Sequence, residues 1–212
     1  MSDLKLPRVY PITDVSLAGL GHAEQVTLLC EGGARLIQLR EKRLPPREFC
    51  RQAEEAVRAA HAGGARVIVN DRADIALAAG ADGVHLGQDD LTPEAARRLL
   101  GRAAIIGYST HNVEQAREAA AMPVDYVAIG PVFATASKER PDPAVGLEGV
   151  RRARAAIGRL PLVAIGGITR HNARAVVAAG ADCVAVIGAI LSPASPPEIA
   201  QRTRELLALL GD

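Results

Sequence analysis

The sequence predicts an α/β fold, a single (β/α)8 TIM barrel formed as one domain over residues 1–212. Three observations predict it. Short apolar runs recur eight times, near 8–13, 35–40, 66–70, 83–86, 104–108, 125–130, 161–165 and 183–187. Amphipathic stretches such as 47–62 and 111–121 separate them, and short strands alternating with helices make a parallel sheet. The chain also repeats itself. Ala78-Ala79-Gly80-Ala81-Asp82-Gly83-Val84 returns as Ala178-Ala179-Gly180-Ala181-Asp182-Cys183-Val184, and Gly32-Gly33-Ala34-Arg35 returns as Gly63-Gly64-Ala65-Arg66. Both patterns end a helix on glycine and enter a strand. Val127-Ala128-Ile129-Gly130 returns as Val163-Ala164-Ile165-Gly166, a buried strand running into a glycine turn. Recurrent units of this kind are βα modules, and eight of them close a barrel. An open doubly wound sheet would need fewer strands and an early glycine-rich nucleotide turn. No such turn follows the first run.

Composition narrows the function. The chain has 212 residues, 49% hydrophobic and 23% charged, enough to bury a core and too apolar for global disorder. A net charge of +1 gives no support for a nucleic-acid or membrane partner. Tryptophan is absent and aromatics are 2%, so platforms for stacking bases are few. Cys30, Cys50 and Cys183 are far apart and form no CxxC pair, which indicates neither a zinc site nor a disulfide framework. Sparse cysteines suit a reducing cytosol. The first residues lack the basic-then-apolar layout of a signal peptide, and no run approaches the ~18 apolar residues of a membrane span. A cytoplasmic protein acting on small molecules is expected, and a homo-oligomer is compatible with every feature above.

The strand ends carry the chemistry. After the second strand, Gln38, Arg40 and Lys42 share one face by period two, with Ile37 and Leu39 on the other. An inward arginine is too costly to bury without an anion, which is either a structural carboxylate or a ligand phosphate. Gln38 both donates and accepts, as the edge of a heterocycle requires. The third strand stops on Asn70-Asp71 and the fourth runs into Asp89-Asp90. Asp71 is either the cap of the following helix or a metal ligand. Thr92 is the better cap before the helix at 93–100, which leaves Asp90 for a ligand role. Two carboxylates at adjacent strand ends suit Mg2+, with phosphate and water completing its shell. Ser109 is either a phosphate donor or, like Thr110, a helix cap, and His111 falls in the first helical turn. His85, inside a strand, reads as a packed core histidine. Gly166-Gly167 and Gly188 bring bare N–H groups to the loops where barrels bind phosphate, although tight turns need glycine too. The polar loop 134–146 follows the sixth strand and is read as a lid over the site or a disordered surface loop.

These stretches together resemble the thiamin-phosphate synthase family. The resemblance runs through Tyr10-Pro11-Ile12-Thr13-Asp14, Gln38-Leu39-Arg40-Glu41-Lys42, Asn70-Asp71, His85-Leu86-Gly87-Gln88-Asp89-Asp90, Gly130-Pro131-Val132-Phe133-Ala134-Thr135-Ala136-Ser137-Lys138, Gly146-Leu147-Glu148 and Ile165-Gly166-Gly167-Ile168-Thr169. It implies that the thiazole phosphate nitrogen displaces the diphosphate of an aminomethylpyrimidine. It further implies that Gln38 meets the pyrimidine, and that Leu39, Arg40, Glu41, Lys42, Asn70, Ser109 and Lys138 border its diphosphate. By the same resemblance Asp71 and Asp90 would hold Mg2+, and Lys138, Arg40 and Ser109 would act on the departing group. Thr135, Ser137, Gly167, Ile187 and Gly188 would bind the thiazole phosphate. Two positions depart from the family's usual pattern. Ser137 stands for a threonine and keeps the hydroxyl. Gly188 stands for a serine and leaves backbone N–H groups in its place. The related thiazole tautomerase has a histidine where this chain has Pro131, which does no acid–base work. A non-enzymatic phosphate sensor would need no metal pair.

Overall fold

The computed structural model describes residues 4–135 and 142–211. The eight strands are β1 (Val9–Pro11), β2 (Leu36–Leu39), β3 (Arg66–Asn70), β4 (Gly83–Leu86), β5 (Ile105–Thr110), β6 (Tyr126–Ile129), β7 (Leu162–Ile165) and β8 (Cys183–Val186). Each falls on an apolar run seen in the sequence. All neighbours are parallel in the order β1-β8-β7-β6-β5-β4-β3-β2. The cylinder closes through a bridge between Ile12 and Gln38, where Thr13 N donates to Gln38 O at 2.8 Å. The barrel is therefore the observed fold.

The helices among the described residues are α1 (Val15–Ala18), α2 (His22–Glu31), α3 (Pro46–Ala62), α4 (Ala73–Ala78), α5 (Pro93–Leu100), α6 (Val113–Ala119), α7 (Gly146–Ile157), α8 (Ala173–Ala178), α9 (Gly188–Leu191) and α10 (Pro196–Leu210). Helix α3 buries Phe49, Ala53, Ala56, Val57 and Ala60, one stripe at helical spacing. Thr92 caps α5 by accepting from Ala95 N, with proline in the first turn. The cap of α6 is Asn112, which accepts from Gln115 N. Ser109 and Thr110 thus cap nothing; both stay in β5. His111 lies ahead of that cap and not in the first helical turn, because the asparagine carboxamide reaches the free N–H better placed to start the helix.

Side chains alternate across each strand. Ile37 and Leu39 pack outward against helices, while Leu36 and Ile68 fill the cylinder beside Ile105, Val163 and Cys183. Toward the C-terminal rim the inward positions turn polar, as at Gln38 and His85.

The opposite rim is fastened by three equivalent clasps. Asp82, Asp125 and Asp182 precede β4, β6 and β8. Their backbone N–H groups donate to Val67 O, Ile106 O and Leu162 O at 2.9, 2.7 and 2.9 Å. Their carboxylates accept from the N–H of the same three residues at 2.7, 2.8 and 2.8 Å. Each carboxylate also meets a basic side chain from the helix that precedes the clasped pair of strands: His61 of α3 at 2.9 Å, Arg97 of α5 at 2.7 Å and Arg154 of α7 at 2.7 Å. The repeated Ala-Gly-Ala-Asp pattern is the trace of this device at Asp82 and Asp182. Asp125→Ala is expected to cost about 2–3 kcal/mol in urea unfolding, because Ile106 N loses its side-chain acceptor and the half-buried Arg97 its carboxylate. Arg151→Ala, which removes an exposed pair with Glu148, is expected to stay within about 0.5 kcal/mol.

Candidate active site

The C-terminal ends of the strands bring most of the expected residues to one rim. Lys42, beyond β2, forms an ion pair with the Asp71 carboxylate, beyond β3. Asp71 has left-handed backbone (φ 65°) and donates its N–H to His85 O at 2.8 Å. The N-cap position of α4 belongs to Arg72, so Asp71 is not the helix cap. Asp90 accepts from Gly87 N at 2.7 Å, which folds its carboxylate back over the β4 end. Burial pushes the Asp90 carboxyl up, and Asp71, within side-chain hydrogen-bond reach, pushes it the same way; Gly87 N–H and Lys42 pull against them. Asn70 is 8% exposed, and its carboxamide has no partner among the described residues. Two acids that share one lysine suit a hard dication. No group of three or more potential protein ligands occurs among the described residues, so an ion there would draw its remaining oxygens from phosphate and water.

Arg40 donates from Nη1 to Asp14 at 3.1 Å, so a structural carboxylate anchors it at the rim. Asp14 also caps α1 by accepting from Leu17 N at 3.0 Å. Glu41 faces its own loop. It accepts from the N–H groups of Lys42, Arg43 and Leu44 at 2.8, 2.6 and 3.1 Å, and His22 Nε2 lies 3.4 Å away. Burial would raise its carboxyl, but those N–H groups and His22 outweigh it and hold Glu41 low. His22 Nδ1 lies 2.8 Å from Thr13 Oγ1, which also accepts from Arg40 N at 3.3 Å. Leu39 is fully buried on the outer face, so its side chain points away from the rim.

Beneath the charged groups lies a polar layer. Gln38 Nε2 donates to Tyr10 Oη at 3.1 Å, which is 3.1 Å from Tyr126 Oη. Tyr126 Oη is 3.0 Å from His85 Nδ1, and His85 Nε2 is 2.8 Å from Ser109 Oγ. His85 is the packed core histidine expected from the sequence, with both ring nitrogens against a hydroxyl. Gly107 makes room for this layer, since a Cβ there would lie 2.0 Å from Tyr126 Cζ.

The sixth and seventh loops run together. Val132 N donates to Ile165 O and Phe133 N to Gly166 O, at 2.8 and 3.0 Å. Gly167 has φ 61°, and a Cβ there would lie 2.5 Å from Ala134 O, so glycine is required to bring this turn beside Thr135. Ile187 stands at the N-cap of α9 and Gly188 is its first residue. A Cβ on Gly188 would meet only Ser192 Cβ, at 4.0 Å. His111 Nδ1 contacts Gly130 O at 2.7 Å and Asp142 at 3.5 Å. Ser137 and Lys138, like most of the expected lid, lie outside the described residues.

Sequence reading gave no role to Tyr10, Tyr126, His22 or Asp14. A signal was present for the first two. The chain has only three tyrosines, and two of them stand at inward strand positions where aliphatic residues would otherwise serve.

A (β/α)8 barrel with acid, cation and glycine-turn chemistry gathered at its C-terminal rim belongs to the class of barrel enzymes that build their sites there. Comparison narrows the class. Residues 9–190 match the family described as thiamine monophosphate synthase, and the chain belongs to that family. It is 48% identical to the thiamine-phosphate synthase of Koribacter versatilis, over 99% of this chain and 98% of that one. It is 47% identical to that of Methanoregula boonei, over 93% and 90%. Among solved structures, the thiamine phosphate pyrophosphorylase of Pyrococcus furiosus superposes with a TM-score of 0.86 at 36% identity, covering 96% of this chain and 95% of that one.

Burial lowers the His85 pKa from 6.5 to about 4. Below the unfolded value, protons bind the unfolded chain first, so stability falls as pH drops from 6.5 toward 4. The loss is roughly 3 kcal/mol. The urea midpoint is expected to fall over that range, and His85→Gln to flatten the decline. His22, also lowered by burial, adds a slope of the same sign.

Proposed function

We propose that this single-domain enzyme joins an aminopyrimidine methyl diphosphate to a thiazole phosphate, giving thiamin phosphate and pyrophosphate. The observation that carries the reading is the Lys42, Asp71 and Asp90 cluster beside the unpartnered Asn70 amide. The bond between the pyrimidine methylene and the diphosphate oxygen breaks, and its electron pair leaves with the diphosphate. The electron-rich aminopyrimidine bears the resulting cation. The thiazole nitrogen lone pair then forms the new carbon–nitrogen bond, and the positive charge ends on the thiazolium ring. No side chain is needed as nucleophile or base.

The residues have two tasks. Arg40, Lys42, Asn70, Ser109 and Lys138 bind and stabilise the departing diphosphate, while Gln38 holds the pyrimidine. The backbone of Leu39 and Glu41 carries Arg40 and Lys42 into place. Thr135, Ser137, Gly167, Ile187 and Gly188 hold the thiazole phosphate, so that its nitrogen stays near the methylene. Asp71 and Asp90 would hold Mg2+, which neutralises charge on the leaving group when bound. Pro131, at the position of the tautomerase histidine, offers no proton for the isomerase alternative. The substrates are small molecules. No helix among the described residues is long and apolar enough to cross a membrane, and the cytoplasm is the proposed location.

Mass detection of thiamin phosphate from the two purified substrates, with and without Mg2+, tests the reaction. Asp71→Ala is expected to lower turnover by about 10²–10³ and to raise the Mg2+ required, with folding intact. An unchanged metal response would confine Asp71 to its pair with Lys42. Lys138→Ala is expected mainly to raise the KM for the diphosphate substrate, and an unchanged KM would remove Lys138 from the site.

A further inference from the structure

The polar layer beneath the rim has a direction. Gln38, Tyr10, Tyr126, His85 and Ser109 form an unbranched line, with successive contacts of 3.1, 3.1, 3.0 and 2.8 Å. It starts on β2, passes through β1 and β6, and leaves by β4 and β5. Each tyrosine has one proton to give, and a neutral imidazole has one N–H. Two arrangements therefore use every link and every proton. In the first, protons point from Gln38 toward Ser109. Gln38 Nε2 donates to Tyr10, Tyr10 to Tyr126, Tyr126 to His85 Nδ1, and His85 Nε2 to Ser109 Oγ. The Ser109 hydrogen is then left for a ligand, and Gln38 keeps its carbonyl oxygen for one. In the second arrangement every proton is reversed. Ser109 spends its hydrogen on His85, and Gln38 turns its carbonyl inward and its amine toward the ligand.

Diphosphate oxygens accept hydrogen bonds. A diphosphate bound at Ser109 is therefore served by the first arrangement alone. We propose that these five residues act as one directional hydrogen-bond line coupling the two ends of the pyrimidine diphosphate site, so that a phosphate accepting from Ser109 sets Gln38 to present its carbonyl oxygen and selects a heterocycle with an N–H donor. Tyr10, Tyr126 and His85 are positioning residues on this account. The inference rests on the assignment of Gln38 and Ser109 to the pyrimidine diphosphate.

Three further observations support it. No described residue donates to Gln38 Oε1, although Gln38 is only 3% exposed. His85, Tyr10 and Tyr126 are all buried, away from water that could compete for the links of the line. The His85 and Tyr126 rings stack with centroids 5.5 Å apart, and Tyr10 meets Tyr126 edge-on, which leaves the line little freedom to take other partners.

Two experiments test the direction. The first needs no mutation: nitrogen-15 NMR of the His85 imidazole in the full-length protein, with Mg2+ and pyrophosphate added as the probe. The expected state is protonated Nε2 with bare Nδ1; a proton on Nδ1 in the pyrophosphate complex overturns the proposal. The second compares kcat/KM for the aminopyrimidine diphosphate and for its analogue with a ring carbonyl in place of the amine. The native chain is expected to prefer the amine by about 10² or more. Tyr126→Phe breaks the line, lets the Gln38 amide turn, and is expected to reduce that preference at least tenfold. Tyr10→Phe replaces it if that variant does not fold. An unchanged preference in a folded variant overturns the proposal. Ser109→Ala and Gln38→Ala separate the two layers of the argument. A normal KM for the pyrimidine diphosphate in both removes the site assignment and the inference with it. A raised KM there, with an unchanged preference in Tyr126→Phe, removes the directional line alone.

Discussion

Closing the cylinder between β1 and β2 is the constraint on which the rest of the molecule depends. Other neighbouring strands share registers of three or four residue pairs, whereas this seam has one bridge, between Ile12 and Gln38. Side chains supply what the backbone does not. Thr13 accepts from Arg40 N and meets His22, and Gln38 reaches Tyr10 across the gap. The residues that finish the barrel are thus neighbours of those proposed to face the ligand. A loosened seam would displace Gln38, Arg40 and Lys42 together. That is why a buried histidine, a threonine hydroxyl and a carboxylate bound to three N–H groups surround so short a stretch.

The site is layered by charge. Ionised groups stand at the rim, where water reaches them, and neutral polar groups lie beneath. Putting an unpaired charge into the lower layer would cost far more than a hydroxyl or imidazole whose hydrogen bonds are made. Within the upper layer, two carboxylates take opposite paths. Glu41 has three backbone donors and a histidine, so its anion is satisfied by its own loop. Asp90 has one backbone donor, substantial burial and a second acid alongside. An anion held that way gains more from an added cation than Glu41 does, which suits Asp90 to the proposed Mg2+ role.

Strand count, strand order and the rim residues could be read from the sequence because each leaves a local mark. Apolar runs, glycine caps and a period of two are short-range patterns. Gln38, Arg40 and Lys42 fell on the expected face for that reason. What the sequence did not disclose is non-local. Asp14 and Arg40 are 26 residues apart, and Tyr10 and Tyr126 are 116 apart; nothing in either neighbourhood announces the other. Thr92 was legible as a cap, but two other capping choices were not settled. Asp71 and Ser109 both had the residue type of a cap, but the strand before each continues far enough to carry it to the rim. The helices begin later, at Arg72 and Asn112.

The three aspartate clasps bear on how the chain reaches its shape. Their backbone partners are 15, 19 and 20 residues away, so each ring of contacts closes over little more than one helix and its turns. Closing so short a loop costs little entropy. β3 with β4, β5 with β6, and β7 with β8 can each find register while the polypeptide is still being synthesised, before any segment has met the far side of the cylinder. The long-range step is β1 with β8, whose register sets Val9 against Val184. Assembly therefore runs from pre-registered pairs toward a final pairing of the first strand with the last, and the cylinder is complete only once β8 exists.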